Sequence, residues 1–248
     1  MKDIFMMNSA EVIHFNDESQ AVVLKVSPTI KPMTVLQQLN LLSYRAAIFL
    51  HSGAAEMIEV DLDRLQLAFT EGLARFAQDH NILIADGGTD VGGMHLIGQA
   101  RRAIKGTFPL LGVSVTGKVS YPNGPQPEQG RFPLNDGHSH FVLVESESFG
   151  AESDLLVGLA TARPVPRVAL VVNGGSIVEE EAKRHAEQGT PIITIKGSLR
   201  FADELANNLT SGRIRLTYPM GTKVRTFDVL KQTPRDLYDL LKKMLFEH

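Results

Sequence analysis

The chain has 248 residues, of which 43% are hydrophobic, and a formal net charge of -3. This length and apolar content suit one large domain, and the mild negative charge gives no general attraction to nucleic acid or to an anionic membrane. The absence of cysteine excludes disulfides, thiolate metal sites and a cysteine nucleophile, and the absence of tryptophan weakens any case for base stacking.

No stretch of the sequence approaches the roughly 20 apolar residues that a membrane-spanning helix requires. Residues 1–16 contain acidic groups and lack the basic-then-apolar pattern of a secretory signal. We therefore expect a cytoplasmic protein with no membrane partner.

Predicted strands and helices alternate along the chain. Short apolar or β-branched runs predict strands, and apolar residues spaced three and four apart predict helices. Residues 1–16 are either an edge strand or an ordered arm. The order that follows is strand 21–26, helix 33–42, strand 46–50, helix 61–80, strand 82–85, helix 94–104, strand 110–115, strand 140–144, helix 151–161, strand 168–172, helix 177–187, strand 191–195, helix 200–208, a β-like stretch 214–216 and helix 234–246.

The predicted strands are continuous apolar runs, which is typical of parallel strands covered on both faces. The sequence therefore predicts an α/β fold with a doubly wound, mainly parallel sheet and helices on both faces. No linker or internal repeat divides the chain, so one domain is expected. Residues 121–137 are the longest irregular stretch, and we expect them to lie over the strand ends as a lid or binding loop.

A glycine-rich turn follows the predicted strand 82–85 and leads into the next helix. Gly87 and Gly88 precede Thr89 and Asp90, and Gly92 with Gly93 follows them. Such a turn presents backbone N–H groups and the positive end of a helix to a ligand, and glycines permit its close approach. The turn matches neither a Walker A loop nor G-x-G-x-x-G. Taken alone, it leaves a phosphate ligand and a tight turn without a ligand equally open.

Other strand ends of the predicted sheet also carry small polar clusters. In a doubly wound sheet the carboxyl ends of the strands lie at one edge, where ligands bind. We therefore expect a small-molecule site there. The residues expected to contribute are Ser52, Gly53, Gly87, Gly88, Thr89, Asp90, Gly92, Gly93, Thr116, Gly117, His138, Gly150, Glu152, Gly174, Gly175 and Ser176.

Three stretches resemble the SLOG superfamily, in the branch shared by prokaryotes and the N-terminal regions of TRPM channels. The first is the glycine turn 85–93, which resembles the family's Gly-Gly-x-x-x-Gly turn. The second is His138-Ser139-His140-Phe141-Val142-Leu143 with Gly150-Ala151-Glu152, which resembles the branch's Ser-His-Phe-Ile-Leu stretch and Gly-Ala-Glu helix start. The third is 171–176, which resembles the second glycine turn. The likeness spans about residues 46–205.

The resemblance implies a Rossmann-like domain, related to the LOG, Smf and DprA proteins, that binds nucleotides or nucleotide-derived ligands. ADP-ribose-type molecules are the ligand class implied by the channel branch. On this resemblance we divide the chain into an N-terminal extension packed on the core (1–45), a nucleotide-binding core (46–208) and a C-terminal extension of the same domain (209–248).

Phosphoribohydrolase relatives carry Pro-Gly-Gly-x-Gly-Thr-x-x-Glu at the second glycine turn. Here Ile177 and Val178 replace the Gly-Thr pair, while Glu181 keeps the place of the catalytic glutamate. The replacement removes a close-approach backbone and a hydroxyl, which argues against that activity. Glu181 lies in a run of three glutamates in the first turns of a helix, where a solvated run that favours the helix dipole is an alternative interpretation.

Several individual residues keep two interpretations. We expect Thr89 to bind a phosphate and Asp90 to bind a ribose hydroxyl. For Asp90, capping of the helix is an alternative interpretation. Glu152 and Ser176 either contact a ligand or serve their helix starts. His138 and His140 lack an acidic companion at ligand spacing, so we predict no metal site and expect a hydrogen-bonding role near the lid for one of them.

The leading hypothesis is binding, and sensing, of a nucleotide or NAD-derived ligand without a required cofactor. The alternative is a phosphoribohydrolase or N-glycosidase that uses Glu181 as a general acid or base. Binding of single-stranded DNA is disfavoured by the acidity and the few aromatic residues. A homo-oligomer is a further expectation that the sequence leaves open.

Overall fold

A computed structural model of the chain describes residues 10–16, 19–53, 59–127, 130–213 and 218–247. Eleven strands occur in these residues. In chain order they are β1 (Glu11–Asn16), β2 (Ser19–Val26), β3 (Ala46–Ser52), β4 (Ile82–Asp86), β5 (Leu110–Val115), β6 (Val119–Ser120), β7 (Phe132–Pro133), β8 (His140–Val144), β9 (Arg167–Val172), β10 (Ile192–Lys196) and β11 (Val224–Asp228).

Nine of these strands form one sheet, in the order β1-β2-β8-β5-β4-β3-β9-β10-β11. All neighbouring pairs are parallel except β1 with β2, which are antiparallel at one edge. The predicted α/β fold with a mainly parallel sheet is therefore confirmed. β6 and β7 form a separate two-stranded pair.

The strand order reverses between β3 and β9. From β3 the chain builds outward through β4, β5 and β8, and it then returns to place β9 on the other side of β3. The connections on the two sides of such a switch leave a crevice at the carboxyl ends of the strands. The topology therefore places a crevice beside the ends of β3 and β9.

Helices cover both faces of the sheet, as predicted. A π-helical segment, Ala68–Ala74, joins the second and third helices into one continuous helix from residue 59 to 80. The helices are α1 (Pro32–Gln38), α2 (Glu59–Leu67), α3 (Arg75–His80), α4 (Gly92–Ala103), α5 (Ser153–Ala162), α6 (Ser176–Glu187), α7 (Arg200–Thr210) and α8 (Pro234–Phe246).

The two faces of β3 show how the core is divided. Ile48 points into a core formed with the helix 59–80, α4 and α8, which contribute Phe69 and Leu241 among others. Phe49 points to the opposite face, where α1 and α5 pack and Leu155 contributes. Both faces of β3 are therefore apolar, which explains why its sequence shows no alternation of apolar and polar residues.

Two predicted helices differ in detail from the structure. The helix predicted at 33–42 ends at Gln38, because Asn40 takes a left-handed conformation with φ of 54°. The helix predicted at 61–80 contains the π-helical segment, which its regular apolar spacing did not indicate. β11 was not predicted at all, and the β-like stretch predicted at 214–216 lies outside the described residues.

The irregular stretch 121–137, expected as a lid or binding loop, also contributes to the hydrophobic core. Val119, just before it, and Leu134, near its end, pack with Phe141 against the sheet. A backbone bridge also ties Leu134 to Thr89. Of the described residues of this stretch, Phe132 reaches the crevice. The apolar residues flanking the proline-rich centre explain why this stretch covers a face of the sheet as well as the strand ends.

Candidate functional site

A cleft of about 390 Å³ occupies the crevice at the strand-order reversal. Pockets that hold small molecules commonly measure roughly 300–1,000 Å³. The ends of β3 and β5, the turns that follow β4 and β9, and the first turn of α6 contribute to it. The predicted site residues that line it are Ser52, Gly53, Gly87, Thr89, Glu152, Gly175, Ser176 and Glu181.

The first glycine turn is held in place from behind by buried polar groups. The carboxylate of Asp86 accepts hydrogen bonds from the N–H of Gly88 at 2.7 Å and from Nε2 of His138 at 2.8 Å. Gly88 has a φ of +72°, and a Cβ there would lie 2.8 Å from Cα of Gly112. Gly88 and His138 therefore shape the turn without lining the cleft, while Gly87 faces it.

The start of α4 is capped from the neighbouring strand. Oγ of Ser52, at the end of β3, accepts the N–H of Gly93 at 2.9 Å. Asp90 does not cap the helix, whose N-cap is Val91. Instead, Oδ1 of Asp90 accepts from Nδ1 of His95 and Nδ2 of Asn135, each at 2.6 Å. The helix-cap interpretation of Asp90 is therefore wrong.

The remaining predicted residues lie beside the cleft or away from it. Gly92 begins α4 with a φ of 55°, and Gly150 donates its N–H to Glu152. Thr116 and Gly117 continue β5 into a short 3-10 turn. Thr116 lines a second cavity of about 300 Å³, which β1 and residues 121–125 also line.

The second glycine turn leads into α6 with its backbone N–H groups facing the cleft. Asn173 and Gly174 take left-handed conformations, with φ of 56° and 100°. Gly175 is the N-cap of α6 and supplies no side-chain acceptor, and Ser176 is the first helical residue rather than the cap. Since Gly175, Ser176 and Ile177 all line the cleft, the positive end of this helix opens into it.

Arg200 lies beside this helix end, at the point where a strained loop passes into α7. Leu199 and Arg200 both have positive φ, 72° and 54°, which is costly for residues with a side chain. The loop is fixed by Asn173, whose Nδ2 donates to the carbonyl of Ser198 at 2.8 Å. A Cβ on Gly175 would lie 3.1 Å from a guanidinium nitrogen of Arg200. Of the described residues lining the cleft, Arg200 is the one arginine or lysine.

Buried acids and a histidine lie at the base of the cleft. Nδ1 of His51 lies 2.8 Å from Oε2 of Glu181, and Oγ of Ser153 donates to the other carboxylate oxygen at 2.6 Å. Burial raises the pKa of Glu181, but the electrostatic and hydrogen-bonding effects of His51 and Ser153 outweigh it and hold that pKa below its usual value. Glu181 is therefore an ionised carboxylate with both oxygens engaged.

The pKa of Glu152 is shifted in the opposite direction from that of Glu181. It is the N-cap of α5, and it accepts the N–H of Gly150 at 2.8 Å. Burial raises the pKa of Glu152, and the charge of Glu181 raises it further, against the lowering effect of the hydrogen bonds from the backbone. Two carboxylates in one cleft are thereby held at different pKa values.

Several cleft residues were not predicted. His51 directly follows the apolar run of β3, and Arg200 follows the Gly197-Ser198 turn after β10, so their positions at strand ends were a usable signal. Phe132 and Phe149, whose rings lie 5.8 Å apart, carried no such signal because neither directly follows a predicted strand. The other missed lining residues are Leu50, Val91, Met94, Val113, Ser114, Leu156, Ile177 and Val178.

The described residues contain no group of three or more histidine, cysteine, aspartate or glutamate side chains arranged to hold a metal ion. None of their helices is long and apolar enough to cross a membrane.

Comparison with known proteins gives a consistent family assignment. The family model described as SLOG in TRPM, prokaryote matches residues 45–237. The mouse transient receptor potential cation channel subfamily M member 2 is 27% identical over 196 residues, and its rat counterpart is 26% identical over 192. These matches cover 64% and 62% of this chain but only 13% of each channel subunit.

A solved structure shares the fold. The molybdenum cofactor binding protein of the phototrophic bacterium Rippkaea orientalis superposes with a TM-score of 0.53 and 14% sequence identity. The superposition covers 82% of this chain and 98% of that one. At this identity the likeness concerns the architecture of the sheet and its helices.

Proposed function

The chain belongs to the family of SLOG domains in TRPM proteins and prokaryotes, and from this premise we propose that its cleft binds a nucleotide or NAD-derived ligand of the ADP-ribose type. The observation that carries the proposal is the meeting of the open N-terminus of α6 with Arg200 at the strand-order reversal. A helix N-terminus and a guanidinium together favour a phosphate.

The phosphate end of such a ligand fits the region around Gly175. The N–H groups of the first turn of α6 face the cleft there without a side-chain acceptor from the N-cap. Arg200 adds a full positive charge within reach of the same point. A dianionic group gains from both at once, whereas a neutral ligand gains from neither.

The rest of the cleft suits the less charged part of a nucleotide. Phe132, Phe149 and Ile177 line it and are 38%, 40% and 46% exposed, an unusual display of large apolar side chains. Aromatic rings are good platforms for a base, because every base has a π face. We therefore assign the base to this apolar side and the phosphates to the α6 side.

Binding is favoured over turnover by the state of Glu181. A general acid for N-glycosidic cleavage has to carry a proton, and the lowered pKa of Glu181 opposes that. Both carboxylate oxygens are also engaged by His51 and Ser153. We therefore propose a ligand-binding, sensing role, and the phosphoribohydrolase alternative becomes one outcome of the test.

The test is a thermal-shift series with AMP, ADP, ADP-ribose, NAD and ribose 5-phosphate, followed by chromatography of each mixture. A ligand at 100 times its dissociation constant stabilises a fold by about 2.7 kcal/mol. For a chain of this size that corresponds to a rise in melting temperature of roughly 5–10 °C. We expect this rise with intact ADP-ribose. Release of base or ribose phosphate would establish an enzyme instead, and no shift with any compound would refute nucleotide binding.

A further inference from the structure

The base of the cleft contains a histidine with one ring nitrogen held and the other without a partner. Nδ1 of His51 lies 2.8 Å from the carboxylate of Glu181. Nε2 of His51 is buried and has no hydrogen-bond partner among the described residues. His51 itself is 1% exposed and lines the cleft. Buried polar atoms are nearly always paired in native proteins, so this atom needs an explanation.

The contact with Glu181 fixes the orientation of the ring. Glu181 is ionised and can only accept, so Nδ1 of His51 donates to it. Nε2 is then the ring nitrogen left for a hydrogen bond with a group in the cleft.

A nearby histidine lies deeper in the fold than His51. His185 is fully buried, and its ring centre lies 4.8 Å from that of His51. Burial lowers the pKa of His185 well below its usual value, and the nearby His51, Arg167 and Arg184 lower it further. Both ring nitrogens of His185 also lack a hydrogen-bond partner among the described residues, but His185 does not line the cleft. His51 is therefore the ring that a ligand can reach.

We propose that Nε2 of His51 forms a hydrogen bond with a ribose hydroxyl of the bound ligand. His51 then selects ligands that offer a hydroxyl at the base of the cleft, and Glu181 with Ser153 acts as a positioning pair that fixes the ring. This inference rests on the proposed nucleotide-type ligand. It gives Glu181 an indirect role, through His51, in place of contact with the reacting sugar.

Two substitutions separate ligand contact from support of Glu181. The amide of asparagine in His51→Asn replaces Nδ1 and can still donate to Glu181, but it removes the group at Nε2. The longer side chain in His51→Gln places its amide where Nε2 was and gives up the optimal contact with Glu181. The exposed His14 of β1 provides a matched control, His14→Asn.

Calorimetric titration of the full chain with ADP-ribose is the experiment. We expect His51→Asn to weaken binding by about tenfold or more, since an unmatched buried polar group costs about 1–3 kcal/mol. His51→Gln should bind within a few-fold of the wild type, and His14→Asn should match it. The reverse order, with His51→Asn binding like the wild type, would mean that His51 only supports Glu181 and would overturn the inference.

Nitrogen NMR of the wild type labelled at histidine is independent of how the variants fold. We expect the Nε2 resonance of His51 to move on addition of ADP-ribose. An Nε2 resonance that ignores bound ADP-ribose would contradict the inference while leaving the proposed function intact. Failure of ADP-ribose to bind the wild type would instead refute the proposed function, and this inference with it.

Discussion

Arg200 combines a charge that the cleft needs with a backbone conformation that a side chain disfavours. Its φ of 54° lies in the left-handed region, which costs roughly 1–2 kcal/mol for a residue other than glycine. We predict that Arg200→Gly keeps or raises the free energy of unfolding, because glycine adopts this conformation freely. The same substitution should weaken ADP-ribose binding at least tenfold, because it removes a charge-assisted phosphate contact.

Urea unfolding and calorimetric titration measure these two effects on the same protein. Arg200→Lys is the control that keeps the charge but loses the bidentate contact that arginine can make with a phosphate. It should retain more affinity than Arg200→Gly. Unchanged ADP-ribose affinity in Arg200→Gly would show that Arg200 does not contribute to binding. Its strained conformation would then have no functional reason.

His140 makes the stability of the fold sensitive to acid. Burial lowers its pKa to about 4 from 6.5, and the charge of Arg101 adds to the effect. The unfolded chain therefore takes up this proton near pH 6.5 and the folded chain only near pH 4, so acidification through this window favours unfolding. The loss amounts to at most about 3 kcal/mol.

We predict that His140→Gln loses less stability than the wild type as the pH falls from 6.5 to about 4. Urea midpoints measured across this range provide the comparison, and His14→Gln, which changes an exposed histidine, is the matched control. Parallel pH profiles for His140→Gln and the wild type would show that another group dominates acid unfolding in this window.

At the level of single residues, the sequence predicted which turns face the cleft but not which atoms do so. The glycine turns were found because several of them follow strands that end at the same edge of the predicted sheet. The pairing of His51 with Glu181 joins residues 130 positions apart in the chain, and no local pattern indicates it. Ser52 was expected at a ligand site but is partly used to cap α4, a role that depends on the neighbouring strand being in place.

The π-helical segment packs closely against α8 at Gly72, and a single substitution can probe this contact. A Cβ on Gly72 would lie 2.8 Å from the carbonyl oxygen of Pro234 and 3.2 Å from Cβ of Leu237. Alanine gains about 1 kcal/mol over glycine as a helix former, but overpacking costs about 1–3 kcal/mol and pushes on backbone that cannot yield easily.

We therefore predict that Gly72→Ala is destabilising by up to about 2 kcal/mol, which corresponds to a fall in melting temperature of up to roughly 8 °C. The neighbouring Glu71→Ala is the control, since it removes only an exposed ion pair with Arg75 worth about 0.3–0.5 kcal/mol. A higher melting temperature for Gly72→Ala than for the wild type would show that α8 shifts without cost.

Element prediction succeeded where local pattern and tertiary role agree. α8 was predicted with the bounds it has, because Thr233 caps it with a full capping box and its apolar residues recur at helical spacing. β11 was missed because its Val-Arg-Thr-Phe-Asp sequence alternates weakly and only pairing with β10 makes it a strand. The π-helical segment was invisible because its apolar spacing resembles that of an ordinary helix.

At the scale of the whole molecule, α8 closes one face of the core. Leu237, Leu241 and Leu245 are fully buried and pack with residues of the sheet and of the helix 59–80. Burying each of them contributes about 1.5–3 kcal/mol. Their sum is comparable with the roughly 5–15 kcal/mol that separates folded from unfolded states.

We predict that a chain ending at residue 233 shows no cooperative unfolding transition by circular dichroism. A chain ending at Phe246 keeps all three leucines and is the control, which should unfold like the wild type. If the chain ending at residue 233 melted cooperatively near the wild-type temperature, α8 would be an accessory to a core that is stable without it.

The reversal of strand order has a consequence for how the chain emerges from the ribosome. β3, β4, β5 and β8 are all synthesised before β9, so the nascent half-sheet keeps one edge of β3 open until β9 arrives. An open apolar edge of this kind invites pairing with other chains. Arg200 at the start of α7 belongs to the lining of the cleft, so the cleft is complete only after that residue has been synthesised.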